Sequence, residues 1–245
     1  MTDFLSFLAT ERNCAASTQN QALNAILFLY RNVLEIELPW LDQVVRAKRP
    51  QRVPVVLNTA EIQSIILQLP PPYDLIVKLL YGSGLRVGEA AGLRIKDVDL
   101  ERRSITVRDG KGSKDRVTVL ADRCVAPLSE QIERAATVAR RDRSRGEGGV
   151  ILPRALIRKY PNASFEEAWM YVFPARRLSR EPRTGRIARY HLFTSSIQRA
   201  IRKAARQTNI QRPVTSHVFR HSFATHLLES GSDIRTIQQL QGTSK

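Results

Sequence analysis

Four cationic side chains stand where they could converge on one anion. His217 and Arg220 lie three residues apart in the segment opened by Thr215 and Ser216. A helix there presents imidazole and guanidinium on one face, while Phe219 and Phe223 take core spacing. Alone, this pair reads more readily as a solvated helix face. Arg86 falls in Gly84-Leu85-Arg86-Val87-Gly88-Glu89, at the junction of a glycine turn and a new helix, which positions a guanidinium rather than leaving it in solvent. Lys111 falls in Gly110-Lys111-Gly112-Ser113-Lys114-Asp115-Arg116, where the glycines permit close backbone approach to a substrate. A lone Gly-Lys-Gly is a weak signal. The sequence offers no clustered Asp/Glu set of the kind a two-metal nuclease needs.

In that chain order, Arg86, Lys111, His217 and Arg220 resemble the active site of the tyrosine recombinases, the phage-integrase family. The block His217-Val218-Phe219-Arg220-His221-Ser222-Phe223-Ala224-Thr225-His226-Leu227-Leu228 is similar to that family's second conserved box almost throughout. Ala15-Ala16-Ser17-Thr18-Gln19-Asn20-Gln21-Ala22-Leu23 and Arg158-Lys159-Tyr160-Pro161-Asn162-Ala163 resemble the integron integrases within it. The likeness runs from Phe4 to Leu240.

This resemblance implies site-specific DNA recombination that integrates gene cassettes, by metal-independent transesterification through a phosphotyrosine and without a cofactor. Arg86 and Arg220 would stabilise charge on the nonbridging phosphate oxygens. Lys111 would be the general acid for the leaving 5′ oxygen, with His217 as its proton-handling partner. The implied partners are duplex integron sites and folded single-stranded cassette sites, with self-association into a synaptic tetramer in the intact family. An inserted segment, about residues 152–190, would engage extrahelical bases. Candidate DNA contacts are Lys48, Arg49, Arg52, Lys114, Arg116, Arg158, Lys159, Trp169, Tyr171, Arg189 and His191. The arginines 176–189 read equally as a phosphate track or a solvated run. The aromatics Trp169, Tyr171 and Phe173, at period two, read as core or as a stacking platform.

Two departures stand against that pattern. The family nucleophile is a tyrosine downstream of the second arginine, whereas the last of the six tyrosines here is Tyr190. Gly242-Thr243 stands where the family has glycine followed by His or Trp, and a threonine hydroxyl lacks the reach of those rings. The expectation is therefore a chain cut at both ends that forms no covalent DNA adduct and no stable tetramer. The alternative is a non-catalytic DNA-binding fragment that occupies recombination sites.

Positioning these groups requires a mainly α fold with a small antiparallel β-sheet: a partial helical core-binding domain (1–47), a linker (48–57) and a catalytic domain (58–245). Ser17 or Thr18 is expected to cap a helix carrying Leu23, Ile26, Leu27, Tyr30, Val33 and Leu34. Phe4–Leu8 offers a second helix, and together they make a thin core. Thr59 is expected to cap the next helix, and Tyr73–Tyr81 forms another. Ile105/Val107 and Val117/Val119 alternate as two strands around the Lys111 tip. A long helix spans about 122–143, an irregular segment covers 151–189, and three helices near 195–207, 215–229 and 233–241 close the chain.

Composition agrees with a nucleic-acid partner. The 245 residues are 42% hydrophobic, enough for a core, and carry 39 Lys and Arg against 23 Asp and Glu, a formal charge of +16 and a pI near 10.7. Such a balance is the footprint of a polyanion binder, although charge alone also fits an RNA-associated scaffold. Cys14 and Cys124 lack zinc or disulfide spacing. No signal peptide or membrane span is read, and the expected location is the cytoplasm.

Overall fold

The computed structural model describes residues 2–36, 47, 53–108, 115–182 and 184–242. Two compact units, 1–53 and 54–245, divide the chain. The linker arginines and lysine (Lys48, Arg49, Arg52) and the hairpin tip with Lys111 and Lys114 lie outside the described residues.

In the first unit, α1 (Thr2–Thr10) packs on α2 (Ala16–Phe28), which runs into a π-helical turn, Leu29–Val33. The helix starts earlier than the Ser17 or Thr18 cap predicts. Ala15 is the N-cap, without a side-chain cap, and the Gln19 amide instead donates to the Cys14 carbonyl at 2.7 Å. Leu23 is the one buried hydrophobic of this unit among the described residues, while Phe4, Phe28 and Val33 stay exposed.

The second unit is built on α3 (Thr59–Leu67), α4 (Tyr73–Gly82), α5 (Val87–Ala91), α6 (Asp122–Ser144), α7 (Arg154–Lys159), α8 (Thr194–Arg206), α9 (Ser216–Glu229) and α10 (Ile234–Gln241). Asn58, not Thr59, caps α3. Its side chain accepts from the Glu61 N–H at 2.9 Å and Glu61 accepts from the Asn58 N–H at 2.8 Å, a reciprocal box that satisfies two end donors. The core joins Ile62, Ile65, Ile76, Leu79, Leu80, Leu85, Leu128, Ile197, Ile201 and Phe219, with α9 lying along α4.

Three strands, β1 (Val98–Asp99), β2 (Ser104–Val107) and β3 (Arg116–Val119), form an antiparallel sheet in that order. The register pairs Ile105 with Thr118 and Val107 with Arg116. Directly opposed residues share a face, so burying Ile105 and Val107 sends Thr118 and Arg116 inward and leaves Val117 and Val119 60% and 45% exposed. Apolar alternation marks β3 as a strand without giving its face. Thr118 tolerates burial because its hydroxyl donates to the Ser83 carbonyl at 2.8 Å.

The irregular segment contains α7, two short 3-10 turns and a two-stranded ribbon, β4 (Ser179–Arg180) with β5 (Ile187–Ala188). It is laced to the rest of the second unit. The Ile95 N–H donates to the Met170 carbonyl and the Val172 N–H to the Leu93 carbonyl. Val150, Leu152, Ala163 and Met170 bury a second apolar cluster against Ala139 of α6. Arg189, expected on DNA, is instead buried: its fork donates to Asp142 at 2.8 and 2.6 Å and its third nitrogen to the Ala175 carbonyl at 2.8 Å. Gly148 passes so close that a Cβ there would lie 2.7 Å from the Asp142 Cβ, at a φ of +86°.

Asp142→Ala would strand the Arg189 guanidinium in that buried setting. Loss of one partner of a buried pair costs about 3–5 kcal/mol. Denaturant unfolding should read a destabilisation of this size, and a loss under about 1 kcal/mol would show that the pair is not a buried clamp.

Candidate active site

Arg86 is the N-cap residue of α5, held extended by the tight approach of Gly84, whose φ of +62° and contact with the Phe223 ring leave no room for a Cβ. The Arg86 backbone N–H donates to Glu89 Oε2 at 2.7 Å and its guanidinium to Oε1 at 2.6 Å. Glu89 thus completes the first turn of α5 and fixes the arginine in one step. A quarter of the Arg86 side chain remains exposed.

Arg220, on α9, is buried, and His217 one turn earlier is exposed. The shared face therefore has a deep guanidinium and a shallow imidazole. The Arg220 guanidinium donates to the carbonyls of Gly84 and Gln241, and stands 3.8 Å from Glu89 Oε2. Those three contacts leave part of its five-donor inventory for a ligand.

Arg116 completes the cluster. Expected on DNA, its side chain is 8% exposed and forks onto Glu89, Nη1 to Oε1 at 2.9 Å and Nη2 to Oε2 at 2.6 Å. Its Nε donates to the Leu240 carbonyl at 2.9 Å. One carboxylate therefore serves Arg86, Arg116 and Arg220. Burial pushes the Glu89 pKa up, but hydrogen bonds from Arg116 and from the Arg86 backbone and side chain outweigh it, leaving the carboxyl at about 2. Burial, then Arg86, lowers Arg220 to about 10 against the opposing pull of Glu89. Arg220 remains a cation at neutral pH. Burial, then His217 and Arg220, also lowers His221, so the imidazole beside the site favours its neutral form.

Sequence reasoning missed Glu89 as a functional residue. Its signal was present, because an acid three residues beyond a helix-opening arginine is the capping-box position. Among the described residues no group of three or more His, Cys, Asp or Glu could hold a metal ion, and no helix is long and apolar enough to cross a membrane.

Beyond α5 a cavity of about 290 Å³ is lined by Glu89, Arg94, Lys96, Arg108, Trp169, Tyr171 and His191 among others. The Arg94 guanidinium lies 4.5 Å from the Tyr171 ring centre and Lys96 covers Trp169. His191 meets Tyr171 edge-on at 5.2 Å. Three of the expected base-contact residues thus share one chamber. Arg158 and Lys159 stay exposed on α7.

Comparison with known proteins places this geometry. The phage integrase family matches residues 55–245, and the family's N-terminal SAM-like domain matches residues 1–40. The chain is 45% identical over 241 residues to an integrase/recombinase of Escherichia coli, covering 98% of this chain and 72% of that protein. A crystal structure of XerA recombinase superposes with a TM-score of 0.57 at 29% identity, covering 100% of this chain and 73% of the other. The integrase of transposon Tn1549, solved in complex with a circular intermediate DNA, shares the fold, with a TM-score of 0.66 at 16% identity over 99% of this chain and 76% of that one.

Glu89 carries a pH signature. Its folded pKa lies below the ordinary carboxylate value of 4.5, so its stabilisation is present above that value and is lost as pH falls toward about 2. Wild-type protein should lose stability across this window, and Glu89→Gln should flatten the loss while costing about 3–5 kcal/mol at pH 7 by unpairing buried arginines. Parallel acid-unfolding curves for the two proteins would contradict the assignment.

Proposed function

The chain belongs to the phage integrase family, the tyrosine recombinases, and on that premise we propose that the pocket of Arg86 and Arg220 seats the scissile phosphodiester of a DNA recombination site. The observation that carries this reading is the convergence of guanidiniums from α5 and α9 on Glu89, with Arg86 still partly open to a ligand. Phosphoryl transfer spreads developing charge over the nonbridging oxygens, and preorganised forked donors stabilise that charge without a metal. An attacking hydroxyl forms the new ester bond to phosphorus as the bond to the 5′ oxygen breaks, Lys111 protonates that leaving oxygen, and His217, at the exposed rim, holds or relays a proton. DNA as partner is supported by the charge of +16 and by the DNA complex of the Tn1549 integrase.

More narrowly, the reading is integration of gene cassettes in the manner of integron integrases. Support comes from the chamber of Trp169, Tyr171 and His191, whose size and mixed aromatic and cationic lining suit an unpaired base of a folded single strand. Lys96 and Arg94 already cover two ring faces there, so a base enters beside them or displaces them. Lys48, Arg49, Arg52, Lys114, Arg158 and Lys159 are assigned to backbone phosphates, where they add affinity rather than sequence choice. A second reading is a protein that occupies recombination sites without cleaving, in which the guanidiniums around Glu89 hold a backbone phosphate and go no further.

Binding and cleavage measured together on duplex and folded single-stranded sites, across a salt series with SDS quenching, test both. Both readings expect binding with steep salt dependence; the recombinase reading adds an SDS-resistant adduct, and the site-occupying reading leaves none. An adduct would overturn the site-occupying reading, and salt-insensitive or absent binding would overturn DNA as the partner. Trp169→Ala should weaken folded single-strand binding by about tenfold while sparing duplex binding, in line with stacking worth about 1–3 kcal/mol per base. Equal losses on both substrates would remove the base-pocket assignment.

A further inference from the structure

Arg116 has no place in the four-residue set of Arg86, Lys111, His217 and Arg220, yet all three of its guanidinium nitrogens are engaged within the pocket. We propose that Arg116 is a positioning residue that locks α5, β3 and the C-terminal end of α10 in register, so that Arg86 and Arg220 are held as one unit.

Three independent observations support the coupling. First, register alone turns Arg116 inward: it is paired with the buried Val107, on the strand that leads directly out of the 109–114 tip. Second, its planar fork meets both oxygens of Glu89, the carboxylate that also holds Arg86. A bidentate contact fixes orientation as well as distance. Third, the end of α10 closes on the same side chain. The Leu240 carbonyl accepts from Arg116 and the next carbonyl, Gln241, accepts from Arg220. The Gln241 amide returns a hydrogen bond to the Arg220 carbonyl at 3.1 Å. Two successive carbonyls at the negative end of a helix dipole are thus each taken by a guanidinium.

Gly242 reports how closely this end is fitted. It caps α10 at a φ of +60°, and a Cβ there would stand 2.9 Å from the Arg116 Cδ. The side chain and the helix end are therefore complementary surfaces rather than neighbours by chance. A lysine could pair with Glu89 through its point charge, but it has no planar fork to serve a carboxylate and a carbonyl at fixed angles. The coupling itself stands on geometry, and its meaning for catalysis rests on the recombinase reading.

The test uses the 245-residue protein with carboxyl-labelled glutamate, comparing wild type, Arg116→Ala and Arg116→Lys by amide exchange and by NMR titration of Glu89. In Arg116→Ala, exchange at Gln241 and Gly242 should quicken by about tenfold or more, as loss of a charge-assisted hydrogen bond requires, while α6 keeps its protection. Glu89 should titrate about one unit or more higher. Arg116→Lys should hold Glu89 low yet leave the α10 end loosened, a split that a merely structural role would not produce. Unchanged exchange and titration in Arg116→Ala would overturn the proposal, as would equal loosening of α6. If Arg116→Ala does not fold, Arg116→Lys decides, and full α10 protection in it is fatal. DNA binding followed in parallel separates the two claims: wild type that fails to bind DNA sinks the recombinase reading, while the exchange result still judges Arg116.

Discussion

The site depends on one carboxylate. Guanidiniums repel one another, and a chain with a formal charge of +16 supplies no general neutralising field. Arg86, Arg116 and Arg220 nevertheless converge because Glu89 sits among them and because the carbonyls of Gly84, Leu240 and Gln241 take further donors. A buried cation cluster of this kind persists only when its donors are satisfied and its charge is partly balanced. Balance is incomplete, with three cations around one anion. That residual positive charge is the feature on which the proposed phosphate ligand depends.

Much of this was legible in the sequence. The helical periods of the second unit, the strand alternation of Ile105 and Val107 and the place of Arg86 where a helix opens all follow from local pattern. The failures are equally physical. Apolar alternation marks Val117 and Val119 as strand without giving the face, and strand register, set by pairing with β2, decides it. The same parity hid Arg116, which reads as an exposed hairpin cation and proves to be an inward brace. Arg189 was misplaced for a related reason. Its partner, Asp142, lies 47 residues away on α6, and no local pattern announces a pairing at that separation.

The arginines consequently divide into two kinds that composition cannot distinguish. Arg116 and Arg189 spend their forks inside the protein, on Glu89 and Asp142. Arg158 remains exposed on α7, and Arg86 stands between these limits. Net charge therefore overstates the number of side chains available to a polyanion, and the density of arginine in residues 176–189 is a poor guide to where a phosphate track would run. Burial of the carboxylate partner is the better discriminator, because a guanidinium with a planar, buried partner has little to gain by leaving it.

The irregular segment extends the same logic from single residues to a cavity. Main-chain hydrogen bonds join Ile95 to Met170 and Val172 to Leu93, and the chain between them carries Tyr171 beside Arg94. Arg94 and Lys96 lie close behind α5, whose first turn holds Arg86 and Glu89. The wall of the aromatic chamber and the frame of the anion pocket are thus one stretch of polypeptide, and Glu89 lines both. The bridge from Tyr171 to Arg94 and the 3-10 turn Ile95–Asp97 lie directly after the end of α5. Mechanical separation of the two cavities would need a flexible joint between Ala91 and Arg94. The buried packing of Ala91 and Leu93 and the hydrogen bond from the Val172 N–H to the Leu93 carbonyl make that stretch rigid.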